Sequence, residues 1–71
     1  MAKMIKSTMS GTVVKSLVSL GDTISEDQDV IVLESMKMEM MVQSEEEGKV
    51  KAILVNSDDF VQEGQDIIEL E

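Results

Sequence analysis

The sequence predicts an all-β domain built as two copies of one unit. Three observations carry this. The chain repeats itself at a fixed offset, its apolar segments are short and β-branched, and no segment sustains a helical period with caps. The repeat is seen by laying GTVVKSLVSLGDTISEDQDVIVLE (11–34) over GKVKAILVNSDDFVQEGQDIIELE (48–71). Eleven of 24 positions are identical at an offset of 37 with no gap, among them Gly11/Gly48, Val13/Val50, Asp22/Asp59, Gln28/Gln65 and Glu34/Glu71. The offset continues backward more weakly through Met4/Met41, Ile5/Val42 and Ser7/Ser44. Residues 1–34 and 38–71 are therefore two halves of a single domain, 1–71. Neither half can close a core alone, and a pseudo-twofold axis is the simplest way to combine them. The join between the halves is then equivalent to the place where the chain ends meet. Lys37 is expected at one pole and the termini at the other.

Each copy reads as strands in order. TVVKSLV and KVKAILV are β-branched and apolar. LGDTISEDQD and SDDFVQEGQD are turn-rich around one short pair, Thr23–Ile24 or Phe60–Val61. DVIVLE and DIIELE are apolar runs after a polar turn. About eight short strands result.

Between the halves lies ESMKMEM, 34–40. Folding 30–43 as a hairpin about Met36–Lys37 pairs Ser35 with Met38, Glu34 with Glu39, Leu33 with Met40, Val32 with Met41, Ile31 with Val42 and Val30 with Gln43. Alternation then puts Ile31, Leu33, Ser35, Met38, Met40 and Val42 on one nearly apolar face. Val30, Val32, Glu34, Glu39, Met41 and Gln43 form a mixed face. A one-residue slip on either strand spoils this separation. A helix over the same residues would gather Leu33, Met36, Met40 and Met41. It loses because Val30–Glu34 recurs as Ile67–Glu71 in strand-like form.

The turn breaks two local rules. Two-residue hairpins prefer Asn-Gly or Asp-Gly, because both turn residues need positive φ. Met-Lys offers neither, so a turn this tight stores strain beside an exposed lysine. Glu34 and Glu39 also face each other as like charges. Such concentrated violations mark Lys37 as a candidate functional residue. The plainer alternatives remain open from pattern alone: a solvated lysine, and methionines that fill the core.

Composition narrows the function. Histidine and cysteine are absent, which removes the usual general base, thiolate chemistry and disulfides. Phe60 is the single aromatic residue, so base stacking has no platform. The net charge of −9 disfavours nucleic acid and anionic membrane as partners and favours basic protein surfaces. No run in MAKMIKSTMSG is long and apolar enough for a signal peptide or a membrane span. A cytoplasmic, free-standing monomer without a metal site is expected.

ESMKME closely resembles the attachment motif of biotinyl domains, as in biotin carboxyl carrier proteins. GDTISEDQDVIVLES and DDFVQEGQDIIELE resemble that family's turn-and-strand pattern, and the similarity covers essentially the whole chain. Lipoyl domains share the fold and the lysine but usually place Asp before it and Ala after it. Methionines on both sides favour biotin.

The resemblance implies a flattened β-barrel sandwich of two four-stranded sheets. It implies biotin on Lys37, with Glu34, Ser35, Met36, Met38 and Glu39 as recognition residues. No residue of the chain is expected to be catalytic. The implied partners are a biotin protein ligase, which acylates the lysine, and biotin carboxylase and carboxyltransferase sites, between which carboxybiotin is carried. Such domains serve carboxylases of acetyl-CoA, propionyl-CoA, pyruvate and urea.

The chain departs from the family at several turns. Asp27 takes a usual glycine position, which is Gly64 in the second copy, and Asp58 replaces the glycine matched by Gly21. STMSG stands for the common APMPG, and SEEEG for a more compact turn. The gapless halves leave no room for the thumb loop of some carriers. The alternatives are a lipoyl carrier on the same lysine and an unmodified module whose acidic surface, including Glu45–Glu47, binds a basic partner.

Overall fold

The computed structural model describes residues 3–71; Met1 and Ala2, the start of the first repeat copy, lie outside the described residues. Eight strands follow in order: β1 (Lys3–Lys6), β2 (Gly11–Ser16), β3 (Thr23–Ile24), β4 (Asp29–Ser35), β5 (Met38–Gln43), β6 (Gly48–Ile53), β7 (Phe60–Val61) and β8 (Asp66–Leu70). They form two four-stranded antiparallel sheets, β1-β8-β6-β3 and β5-β4-β2-β7. A shift of 37 residues turns one strand order into the other. Each sheet draws strands from both halves of the chain, so neither copy forms a sheet by itself. The domain measures 34 × 19 × 19 Å.

The repeat extends to hydrogen bonds. The Ser19 amide donates to Asp22 Oδ2, as Asn56 does to Asp59 Oδ2. The Ser25 amide donates to Gln28 Oε1, as Gln62 does to Gln65 Oε1. These side chains stand in for backbone partners in the turns. The positions that depart from the family keep the glycine conformation: Gly21 and Asp58 have φ of 86° and 76°, Asp27 and Gly64 of 70° and 87°. Aspartate tolerates this left-handed region better than most side chains.

The core lies between the sheets. Ile5, Val13, Ile24, Val30, Ile31, Leu33, Val42, Val50, Val61, Ile67, Ile68 and Leu70 are all buried in it. Burying side chains of this size contributes about 1.5–3 kcal/mol each before the entropy of ordering is set against it.

One expected pair is corrected. Gln43 lies opposite Asp29, not Val30, because the register shifts between Asp29 and Ile31. Val30 is the extra residue of a bulge, and it turns into the core at 0% exposure instead of lying on the mixed face. The same shift recurs 37 residues later, where Ile67 is the extra residue between Asp66 and Ile68. Four consecutive residues of β4, Val30 to Leu33, are thereby buried. Val32 keeps its outward position opposite Lys15 and Met41 and is buried there, outside the central cluster.

The topology separates the chain ends from the hairpin tip. Lys3 pairs with Leu70, whereas Lys6, at the other end of β1, pairs with Asp66. Four residues link Lys6 to Gly11, which begins β2 on the side where Thr12 meets Glu34 and the hairpin turn follows. The short link ties the far end of β1 to the hairpin end of the other sheet. The paired ends of β1 and β8 therefore lie at the opposite pole.

Candidate functional site: the β4–β5 hairpin

The hairpin pairs as the alternation requires from Ile31/Val42 through Leu33/Met40 and Glu34/Glu39 to Ser35/Met38, leaving Met36 and Lys37 as the turn. Their φ values are 53° and 65°. Two successive positive φ angles are what a type I′ turn demands, and this turn matches the right-handed twist of the strands. Each residue other than glycine held in that conformation costs about 1–2 kcal/mol. The hairpin tolerates this because five buried side chains of its strands, Val30 to Leu33 and Val42, anchor it below.

The tip itself is open. Met36 is 92% exposed and Met38 61%. Lys37 is exposed and makes no hydrogen bond or ion pair among the described residues. Lys15 and Lys49 are likewise exposed without such a partner, whereas Lys3 donates to the Glu47 carbonyl, Lys6 pairs with Asp66, and Lys51 lies 3.7 Å from Glu69. Ser35 is half-buried at the last rung. Two surface depressions, of about 410 and 520 Å³, involve no residue from 34 to 39. No group of three or more carboxylates among the described residues is placed to hold a metal ion. The arrangement can present an amine to another protein.

Below the tip, Glu34 and Glu39 stand opposite each other and are both exposed. The row continues across the sheet through Thr12 of β2 to Phe60 of β7. Phe60 is 62% exposed, the one aromatic side chain of the protein, on the same row as the two glutamates. Reading the sequence did not bring Thr12 and Phe60 to the site. The available signal was that Phe60 stands where the first copy has Thr23, an unneeded aromatic if its role were only to make a turn. The hairpin methionines also separate by place: Met36, Met38 and Met41 are exposed and Met40 is half-buried, so of these four only Met40 leaves room for the core-filler alternative; outside the hairpin, Met9 packs against the core.

Fold and hairpin together define a class: a small β domain with an exposed lysine on a strained hairpin tip. The chain belongs to the family described as biotin-requiring enzyme, whose model matches residues 1–70. A biotin carboxyl carrier protein of Streptococcus mutans is 50% identical over 38 residues, which are 54% of this chain and 29% of that protein. The Kluyveromyces lactis urea carboxylase structure contains a similar region: TM-score 0.88, 31% identity, all of this chain and 6% of that one. The lipoyl domain of the 2-oxoglutarate dehydrogenase complex from Azotobacter vinelandii superimposes with TM-score 0.66 at 27% identity, over 87% of this chain and 78% of that domain. The fold is thus the one shared by biotinyl and lipoyl domains. The chain spans under a third of the carrier protein and a small fraction of the urea carboxylase.

Proposed function

We propose that this domain is a biotin carboxyl carrier, with biotin joined through an amide to Lys37 Nζ. The observation that carries this reading is the placement of ESMKME: its lysine occupies the second position of a tight turn, exposed and without a partner among the described residues. A free primary amine at such a tip fits acylation by a biotin protein ligase working from biotinyl-adenylate.

The chemistry asked of the chain is small. Attack needs the neutral amine, so the ligase must take a proton from the ammonium before the nitrogen lone pair can act. The amide N–C bond then forms as adenylate leaves, and the side chain loses its charge. Met36 and Met38 flank the nitrogen and give the ligase apolar surface to grip. Glu34, Ser35 and Glu39 complete the surface it must cover. The two positive φ angles hold Lys37 away from the sheets, which positions the nitrogen without closing a site around it. When bound, biotin supplies the atom that takes up and releases a carboxyl group. The domain presents that atom to a biotin carboxylase and then to a carboxyltransferase. A soluble, cytoplasmic setting and an isolated monomer accord with the acidic surface. Among the described residues no helix is long and apolar enough to cross a membrane.

A second reading, a lipoyl carrier on the same lysine, is favoured by the likeness to the Azotobacter vinelandii lipoyl domain. The biotin reading is preferred because the Met-Lys-Met flanks resemble biotinyl motifs and the urea carboxylase match is closer in both shape and sequence. Intact mass after co-expression with a biotin protein ligase, followed by peptide mapping, decides between them. A biotin-sized increment on Lys37 is expected, and Lys37→Arg should abolish it while leaving the unfolding midpoint unchanged. A lipoyl-sized increment moves the protein to the second reading. A folded domain that takes no adduct from active biotin protein ligase, and none from a lipoate protein ligase, would refute both, leaving an unmodified acidic interaction module.

A further inference from the structure

We propose that Met36 and Met38 are sites of reversible oxidation, and that their conversion to sulfoxides slows acylation of Lys37. The inference rests on Lys37 being the attachment site.

The structure sorts the methionines sharply. Met36 is 92% exposed, Met38 61% and Met41 46%, whereas Met4, Met9 and Met40 are half-buried. The two most exposed methionine side chains among the described residues are the immediate neighbours of the acceptor lysine. A thioether reacts with a hydroperoxide in proportion to its accessibility. With hydrogen peroxide, its lone pair attacks one peroxide oxygen, the S–O bond forms as the O–O bond breaks, and the departing hydroxide takes the proton from the new S–OH group to become water. Sulfur loses two electrons and the peroxide gains them. Among the described residues, the hairpin tip is therefore the first place where a peroxide pulse should mark this protein.

The product lies on a surface that acylation must cover. To form a bond, Lys37 Nζ must approach the reacting carbonyl to about 3–3.5 Å. An enzyme reaching the second residue of a two-residue turn also meets the first residue and the one that follows. Met36 and Met38 enter that contact as flexible apolar side chains. A sulfoxide enters as a polar, chiral group whose oxygen must lose water and find a donor. The turn backbone and the core below are untouched, so the fold should survive while the encounter weakens. Because methionine sulfoxide is reduced by dedicated reductases, one for each epimer, the mark can be erased.

The test treats the intact protein with limiting hydrogen peroxide and follows each methionine by peptide mapping. It then compares initial rates of biotin incorporation for untreated, oxidised and reductase-repaired samples with a biotin protein ligase. Met36 and Met38 should oxidise before Met4, Met9 and Met40. The oxidised protein should be acylated roughly tenfold more slowly or worse, with its circular dichroism unchanged and the rate restored by repair. A Met36→Leu, Met38→Leu protein should show no change in its own rate on peroxide treatment. Oxidation that begins at Met9 or Met40, an oxidised protein acylated at the untreated rate, or a double variant equally slowed by peroxide would each overturn the proposal. An untreated protein that takes up no biotin removes the carrier reading and this inference together. Failure of the inference alone leaves the untreated rate intact.

Discussion

Met36 and Lys37 sit in a backbone conformation that suits Asn and Gly, with φ of 53° and 65°. The hairpin would be more stable with other residues there, which makes the tip a place where stability is given up for an exposed amine. Replacing the pair by an Asn-Gly turn (Met36→Asn, Lys37→Gly) should raise the free energy of unfolding by about 1–2 kcal/mol, read from urea denaturation. The same variant should take up no biotin. An unchanged or lower urea midpoint would show that the strain is not there. Asp27 and Asp58 make the complementary point. They occupy positions equivalent to Gly64 and Gly21 and keep the same left-handed backbone, so the turns depend on the conformation rather than on glycine itself. The ion pair of Lys6 with Asp66, by contrast, is exposed on both sides and is worth at most about 1 kcal/mol.

Strands β2 and β4 carry the hairpin, and their approach depends on Gly11. A Cβ added there would lie 2.9 Å from the backbone oxygen of Glu34, closer than such atoms come in practice. The obstruction is main chain within a sheet, so it cannot swing aside as a side chain could. Gly11→Ala is expected to lower stability by about 1–3 kcal/mol, measured as a shift in the thermal or urea midpoint. A midpoint equal to that of the parent would mean that the two strands separate freely at this rung. The bulges at Val30 and Ile67 work at the same scale. Each inserts one residue, breaks strict alternation and turns an extra branched side chain into the core.

The two halves of the chain are exchanged between the sheets: β1 and β3 of the first half complete the sheet of β6 and β8, and β5 and β7 of the second complete that of β2 and β4. Folding is therefore a property of the pair. A peptide of residues 38–71 alone would hold β6 and β8 but lose β1 and β3, leaving both edges of a two-stranded ribbon unpaired. It should show a disordered circular dichroism spectrum and no cooperative melting, while the intact domain melts in one transition. A cooperative melt of the isolated half would overturn this account of the repeat. The same exchange puts the paired ends of β1 and β8 at the pole opposite Lys37.

Much of this was legible along the chain. The offset of 37 carried the two-copy plan of about eight short strands, and alternation placed the turn at Met36–Lys37, because side-chain period and self-similarity are local or are repeated twice in the text of the sequence. Lys37 stood out for the same reason: it breaks local rules where its surroundings keep them. Three things required the folded molecule. The bulge at Val30 was invisible because a run of apolar residues reads equally well with strict alternation or with one extra residue turned inward. The row of Glu39, Glu34, Thr12 and Phe60 joins residues from four strands, and no local pattern links Thr12 or Phe60 to the hairpin. The exposure of Met38 and Met41 beside a half-buried Met40 depends on how the sheets pack. Burial of that kind is decided by packing between distant segments, which only the closed pair of sheets brings into contact.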